Sequence, residues 1–301
     1  MKNLFLVGLW ALVGLNGFKL SAQTIDTLVF CGIDSVKYQT EFEGFKIEEL
    51  SGIEYWGYAN KYLLLPQSRT KTHLFVCSVY VDKGLKVSFD SLIFLNTPPL
   101  EGESIRINPT TQTIYVTEEG NETSTVYEVD EKHNLKAMFT SKGPFRHNSG
   151  FEGLCFSPDG QKMYVSLERP LQGNITTITS IDLSSGNKKN YTYPLDKLEG
   201  DKRSDNGISE ILSLNDSTLL VVERAFLGPK LGNSIRVYRS HIPDSGTEIT
   251  KEKLLTDFSA SPLLDNIEGA CFSATGNELI FVSDNNGNAH QRTLFICMKI
   301  E

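Results

Sequence analysis

The sequence predicts an all-β fold, a β-propeller of five four-stranded blades, because a repeated unit occurs together with inner strands that are apolar on both faces. The first residues of successive units are separated by 50, 51, 57 and 59 residues, which suits four-stranded blades joined by loops of variable length. A six-bladed ring is the alternative, but it requires a unit that the chain does not display. The five units open at Leu50–Ile53, Leu100–Glu103, Phe151–Leu154, Ile208–Ile211 and Ile267–Ala270.

The second strand of each unit is apolar on successive residues, as in Thr218–Val222 (TLLVV) and Glu278–Ser283 (ELIFVS). Such strands are covered on both faces, which propeller blades achieve by stacking on both neighbours. A third strand, such as His73–Val81, and a more polar fourth segment, such as Lys86–Leu95, complete the unit. Turn residues such as Pro158-Asp159-Gly160 separate the strands, and no amphipathic helix is predicted beyond the N-terminal segment.

The last unit is too short to be a complete blade. Only 34 residues follow Ile267, enough for three strands. The segment Thr27–Cys31 (TLVFC) precedes the first unit and is apolar enough to supply the fourth. We therefore predict that the N-terminal strand closes the last blade and removes the open edge of the sheet.

The N-terminus indicates the compartment. Lys2, the apolar run Leu4–Leu15 and Leu20-Ser21-Ala22 are typical of a signal peptide over residues 1–22, followed by a single propeller domain over residues 23–301. The apolar run is too short for a membrane span, so a secreted or periplasmic protein is expected. The formal net charge of −8 argues against nucleic acid as a partner, because phosphate backbones require basic patches.

The cysteines do not predict a disulfide framework. Their number is odd, they are spread one to an apolar strand, and a single disulfide is compatible with this pattern without being indicated by it. Cys155 and Cys271 hold equivalent positions in their units, which favours a role as small buried apolar residues.

Carboxylates recur at two positions of the repeat. Because the first two strands of a blade are antiparallel, the start of one lies beside the end of the other, and the acids at both positions share one end of the molecule. The first strand is innermost, so these acids should surround the mouth of the central channel. At strand-one starts they are Glu101, Glu152, Glu210 and Glu268, and at strand-two ends Glu118, Glu168, Glu223 and Asp284.

Converging carboxylates need compensation, and calcium, which takes oxygen ligands, would provide it. Glu101, Glu152, Glu210 and Glu268 are the candidate metal ligands, although Glu210 stands one residue later than its counterparts and could point elsewhere. Ion pairing is the other interpretation, since arginines follow two of the acids, and structural networks also gather charges. The candidate substrate-binding residues are Glu118, Glu168, Arg169, Glu223, Arg224, Asp284, Asn285 and His147.

Three segments carry a resemblance to a known family. They are Gly150–Leu171 (GFEGLCFSPDGQKMYVSLERPL), Asn206–Phe226 (NGISEILSLNDSTLLVVERAF) and Asp265–Asn286 (DNIEGACFSATGNELIFVSDNN). As a set they resemble the "esterase-like activity of phytase" family of secreted bacterial propellers. The resemblance implies a propeller fold and hydrolysis of phosphoester or ester bonds.

The architecture is also similar to that of calcium-dependent propeller phytases, in which calcium and basic residues hold phosphate over the channel mouth. Here no dense Lys/Arg cluster accompanies the acids, which argues against a highly anionic substrate. Two hypotheses remain: a hydrolase with a divalent-cation or anionic-ligand site at the mouth, and a non-catalytic propeller that binds a small molecule or a protein there.

Overall fold

The structure is a computed structural model that describes residues 25–120, 122–198, 205–258 and 264–301. The predicted signal peptide lies outside the described residues. Within them every regular element is a β-strand, and no helix is long and apolar enough to cross a membrane. The prediction of an all-β protein is confirmed.

The strands form five antiparallel four-stranded sheets arranged as a ring, which confirms the five-bladed propeller. A short hairpin that was not predicted precedes the first blade. In chain order the strands before blade 1 are β1 (Leu28–Val36), β2 (Glu41–Phe42) and β3 (Phe45–Lys46). Blade 1 comprises β4 (Leu50–Tyr55), β5 (Lys61–Pro66), β6 (His73–Val81) and β7 (Leu85–Phe94). Blade 2 comprises β8 (Gly102–Ile107), β9 (Ile114–Glu118), β10 (Thr123–Val129) and β11 (Leu135–Lys142).

The remaining blades follow the same order, and the innermost strands β4, β8, β12, β16 and β20 contact one another around the channel. Blade 3 comprises β12 (Phe151–Phe156), β13 (Lys162–Leu167), β14 (Ile175–Asp182) and β15 (Lys188–Pro194). Blade 4 comprises β16 (Asp205–Asn215), β17 (Thr218–Phe226), β18 (Asn233–His241) and β19 (Thr250–Asp257). Blade 5 comprises β20 (Asn266–Phe272), β21 (Glu278–Asp284), β22 (Thr293–Ile300) and the N-terminal β1.

The N-terminal strand closes the ring as predicted. β1 pairs with β22 from Leu28 opposite Ile300 to Val36 opposite Thr293. A disulfide between Cys31 and Cys297 joins the two strands, a bond that the cysteine pattern did not predict. The other three cysteines are buried and unpaired, as expected for Cys155 and Cys271.

The core consists of five apolar clusters, one at each interface between neighbouring blades. Alternate residues of one strand belong to different clusters: Leu64 packs toward blade 5 and Leu65 toward blade 2. Burial on both faces explains why the inner strands are apolar on successive residues.

Each innermost strand contains a β-bulge near its start, at the same position in every blade. There the first strand has one more residue than the second, so the bulged residue leaves the ladder and can turn toward the channel. This feature decides which side chains reach the mouth.

Candidate functional site at the channel mouth

The channel opens into a cavity of about 1010 Å³ at the end of the ring where the first strands begin, called here the mouth. Nine carboxylate side chains line it against four cationic ones, so the described part of the mouth is strongly acidic. The carboxylates are Glu49, Glu101, Glu103, Glu119, Glu152, Glu168, Asp265, Glu268 and Asp284, and the cations are Arg69, Arg169, Arg224 and Lys230.

The bulged position supplies the innermost acids. When the blades are aligned on the strand pairs that follow the bulge, Glu103, Glu152 and Glu268 are equivalent, and blades 1 and 4 carry Ser51 and Ser209 there. The predicted Glu101 is two residues earlier and exposed on the rim, whereas Glu103 is buried. The acid of blade 2 in this inner ring is therefore Glu103.

The second ring of side chains follows the second strands. Counting along each second strand from the same pairs gives the equivalent residues Gln67, Glu119, Glu168, Arg224 and Asp284, all of which line the mouth. The predicted Glu168, Arg224 and Asp284 belong to this ring.

Glu118 and Glu223 stand one residue earlier on their strands, and neither lines the mouth. Alternation of side chains along a strand turns them to the blade faces. Glu118 accepts a hydrogen bond of 2.7 Å from the Tyr127 hydroxyl. Glu223 is buried, accepts one of 2.9 Å from the Tyr193 hydroxyl and pairs with Lys251.

Two arginines lie among the acids of the mouth. Arg224 Nη2 is 2.9 Å from Glu168 Oε1 and its Nη1 is 3.0 Å from Glu268 Oε1. Arg169 Nη2 is 2.6 Å from the same Glu168 oxygen. Although burial disfavours its charge, Glu268 and Glu168 raise the pKa of Arg224, which keeps the guanidinium protonated. Glu168 thus holds both arginines at the edge of the cavity.

Two buried carboxylates remain incompletely compensated. Among the described residues, none donates a hydrogen bond to Glu152 or forms an ion pair with it, although Glu152 is only 6% exposed. Glu268 uses Oε1 to accept from Asn266 at 2.7 Å and to pair with Arg224, but its buried Oε2 has no described partner. Buried oxygens without partners are costly, so a group that binds them would stabilise the site.

Burial and mutual repulsion disfavour the charges of these acids. Burial, followed by the charges of neighbouring carboxylates, raises the pKa values of Glu103 and Glu152 well above the ordinary range. Burial raises the pKa of Glu268 to about 8 even though Arg224 opposes the shift. Burial likewise raises the pKa of Asp284 to about 6. A cation bound among these carboxylates would favour the ionised form of each of them.

The remaining predicted residues lie apart from the cavity. Asn285 is buried, and its side-chain oxygen accepts hydrogen bonds of 3.1 Å from the backbone N–H groups of Glu49 and Gly287, so it fixes the loop after β21. His147 is exposed in the loop before β12 and does not line the mouth.

Glu210 occupies the next layer of the channel, at the position where blades 1, 3 and 5 carry glycine. Its Oε2 is 2.7 Å from Arg106 Nη2, and its Oε1 accepts hydrogen bonds from the Leu154 and Ile211 backbones at 3.2 and 2.9 Å. Its displacement by one residue in the sequence therefore removes it from the mouth. Arg106 and Glu210, both buried, fill the channel beneath the inner acids.

We expect the unliganded protein to lose stability as the pH rises from about 5 to 8. Burial raises the pKa values of Glu54 and Glu210 to about 7, against the opposing charge of Arg106, so both bind a proton more tightly when folded. Their stabilising contribution is present below the unfolded pKa near 4.5 and is lost as the pH passes about 7. Burial lowers the pKa of His73, so this one residue makes the opposite contribution: its effect on stability becomes more favourable as the pH rises.

Thermal melts in chelator at pH 5 and pH 8 measure this effect, and the midpoint should be several degrees higher at pH 5. The double variant Glu54→Gln/Glu210→Gln should show a flatter dependence. A midpoint that increases from pH 5 to pH 8 in the unmodified protein would contradict the expectation.

The sequence matches the family model described as phytase-like, esterase-like activity of phytase, over residues 46–287. The chain belongs to this phytase-like family. The resemblance carried by the three repeat segments is thereby confirmed, and a hydrolase-like propeller fits both the family and the fold.

The solved structures similar to this phytase-like protein include the three that follow, whereas no curated protein matches it. A protein from Lactobacillus plantarum is 13% identical with a TM-score of 0.45, covering 78% of this chain and 77% of that one. A hypothetical protein from Leishmania major is 12% identical with a TM-score of 0.46, covering 88% and 89%. A GH43 glycoside hydrolase with an engineered active site is 12% identical with a TM-score of 0.49, covering 80% and 50%.

Calcium is the cofactor that similarity to propeller phytases implies. In the four described ranges no three His, Cys, Asp or Glu side chains lie close enough together to hold a metal ion. The donor chemistry nonetheless suits a hard cation, because three of the five inner-ring residues of this phytase-like protein are carboxylates and the buried Oε2 of Glu268 has no described hydrogen-bond partner.

Proposed function

We propose that this phytase-like protein is a hydrolase of phosphoester or carboxylic ester bonds, with its active site at the mouth and a divalent cation, calcium first, as cofactor. The observation that supports it is a pair of buried carboxylates in the cavity: the Oε2 of Glu268 has no hydrogen-bond partner among the described residues, and Glu152 forms no hydrogen bond or ion pair with them. Buried oxygens in a purely structural network usually have hydrogen-bond partners.

The position of each residue in the mouth suggests its role. Glu103, Glu152 and Glu268 are equivalent residues of the inner ring, and they would hold the cation between them through bound water, because they do not lie close enough together to bind it directly as a set. When bound, the cation supplies charge neutralisation of an anionic substrate and a lower pKa for bound water. Arg169 and Arg224, held by Glu168, bind the anionic part of the substrate.

Glu119 and Asp284 complete the cavity as acceptors for water. Glu119 accepts from the Gly150 backbone, and Asp284 accepts from the Asn286 backbone at 2.6 Å, so one oxygen of each is fixed and the carboxylate is oriented. Hydrolysis consumes one water, whose oxygen joins the phosphorus or acyl carbon while the alcohol leaves with a proton.

A non-catalytic ligand-binding propeller is the second candidate. The observation that favours it is the lack, in the described ranges, of three carboxylates already gathered at metal-binding distance. In that case a cationic ligand would contact the inner acids directly. Failure to hydrolyse any ester, with retained binding of a small cation, would select this candidate.

We also propose that the protein is secreted or periplasmic. The apolar N-terminal segment supports this proposal, and so does the Cys31–Cys297 disulfide, because such bonds persist in oxidising compartments.

We expect Glu152→Gln to abolish function without damaging the fold. Hydrolysis of 1-naphthyl phosphate or 1-naphthyl acetate, assayed with calcium, should fall by about 100-fold, in line with the loss of one charge-stabilising group. In chelator the melting midpoint of the variant should equal or exceed that of the unmodified protein, because a buried uncompensated charge has been removed.

Calcium itself provides the second readout. Saturating calcium should raise the melting midpoint of the unmodified protein by a few degrees, but not that of Glu152→Gln. Glu131→Gln, an exposed carboxylate of blade 2, is the matched control and should behave like the unmodified protein. Identical midpoints of the unmodified protein in calcium and in chelator would remove the metal from the proposal. A destabilised Glu152→Gln would show that the residue is structural.

A further inference from the structure

One side of the mouth is apolar. The strand end and loop between β17 and β18 place Phe226, Pro229 and Leu231, called here the apolar lip, along the same cavity as Arg224 and Glu268. Phe226 is 41% exposed and Leu231 50% exposed, so neither packs into the core. Exposed apolar side chains clustered on a concave surface are typical of a ligand contact.

The backbone holds the lip in a defined shape. The Leu227 N–H donates to the Gly232 carbonyl at 2.8 Å, and the Gly232 N–H donates to the Gly228 carbonyl at 2.8 Å. The Leu231 N–H adds a hydrogen bond of 3.2 Å to the same Gly228 carbonyl. Hydrogen bonds within the loop therefore fix the backbone that presents these apolar side chains to the cavity.

The corresponding loops of blades 1, 2 and 5 are polar, and the apolar Leu171 in the loop of blade 3 does not line the cavity. After the second strands, blade 1 continues with Gln-Ser-Arg-Thr-Lys-Thr over residues 67–72, and blade 5 with Asn-Asn-Gly-Asn-Ala-His-Gln over residues 285–291. Blade 2 has Glu-Gly-Asn-Glu over residues 119–122. The mouth is thus divided into a large polar and acidic side and a single apolar side.

We infer that the substrate is an ester with a large apolar group, such as an aryl group, next to the bond that is cleaved, and that the apolar lip binds this group. The inference rests on the proposed function. Arg224 stands two residues before Phe226 in the chain, and both line the cavity. A substrate whose anionic group binds Arg224 would therefore place its apolar group against Phe226 and Leu231. A fully anionic polyphosphate ester would leave the lip without a contact.

The test compares two substrates on matched variants in the presence of calcium. The ratio of kcat/KM for 1-naphthyl phosphate to that for glycerol 2-phosphate should fall about tenfold or more in Phe226→Ser/Leu231→Ser. Leu171→Ser is the control, because Leu171 is 55% exposed on blade 3 but does not line the mouth. Its ratio should be unchanged. An unchanged ratio in the double variant overturns the inference.

Equilibrium binding separates this inference from the proposed function. If neither substrate is hydrolysed, the proposed function fails, and titration with 1-naphthyl phosphate in calcium then tests the lip alone. Binding that is weakened about tenfold in the double variant and retained in Leu171→Ser supports the apolar subsite. Equal binding by both variants, or no binding by the unmodified protein, overturns it.

Discussion

Arg106→Met should be among the most destabilising single substitutions in this protein, with a loss of about 3–5 kcal/mol in the free energy of unfolding. Arg106 is fully enclosed in the channel, where it pairs with Glu210 at 2.7 Å and lies 3.5 Å from Glu54. Removing the guanidinium leaves the buried Glu210 and the partly buried Glu54 without their cation. Such uncompensated charges cost more than the intact pair contributes.

The same guanidinium also ties the innermost strands together. Its Nη1 donates to the Ile53 and Ile105 carbonyls at 3.0 and 2.6 Å, and its Nη2 donates to the Ala270 carbonyl at 2.8 Å. These carbonyls belong to blades 1, 2 and 5. Methionine fills similar volume but cannot donate, so the three carbonyls would lose a buried partner as well.

Chemical denaturation of Arg106→Met and of Arg69→Met measures the effect with a matched control. Arg69 pairs with Glu49, but its side chain is 78% exposed, and its loss should cost less than about 1 kcal/mol. Arg106→Met/Glu210→Gln should recover part of the loss, because one of the orphaned charges is then absent. A loss in Arg106→Met no larger than in Arg69→Met would show that the channel network contributes little to stability.

The repeat and its apolar strands were sufficient to predict the ring, because a strand that is buried on two faces is apolar on successive residues, a pattern that can be seen in the sequence. The bulge has no comparable residue pattern in the sequence. Aligning blade 2 on its Glu-Gly pair selects Glu101, whereas aligning Ile105 with Leu154 selects Glu103, the residue that the structure places in the inner ring. Since side chains alternate along a strand, a shift of one residue also separates Glu118 from Glu119.

Other parts of the site depend on contacts between distant segments. The pairing of Arg106 with Glu210 joins blades 2 and 4 across the channel, and no spacing within one repeat indicates it. The apolar lip was equally invisible as a functional feature, because loop residues become informative only once the cavity beside them is known. The disulfide, by contrast, was within reach: Cys31 ends the predicted closing strand, and Cys297 lies in the strand that it was expected to join.

Removing that disulfide should cost about 4 kcal/mol and lower the melting midpoint by roughly 10 °C. The bond joins residues separated by 266 positions, so it constrains nearly the whole unfolded chain, and the entropic benefit of a crosslink increases with the length of the loop that it closes. It also lies where the N-terminal strand joins the last blade, between β1 and β22. Cys31→Ser/Cys297→Ser tests this expectation.

Reductant and thiol counting supply the controls. Reductant should lower the midpoint of the unmodified protein to that of the double variant and leave the variant unchanged. Alkylation of the denatured, unreduced protein should label three thiols, those of Cys77, Cys155 and Cys271. Labelling of all five would show that the bond does not form. Because Glu268 lies on blade 5, to which this bond ties β1, loss of the bond should also lower the temperature at which the proposed calcium binding and hydrolysis are lost.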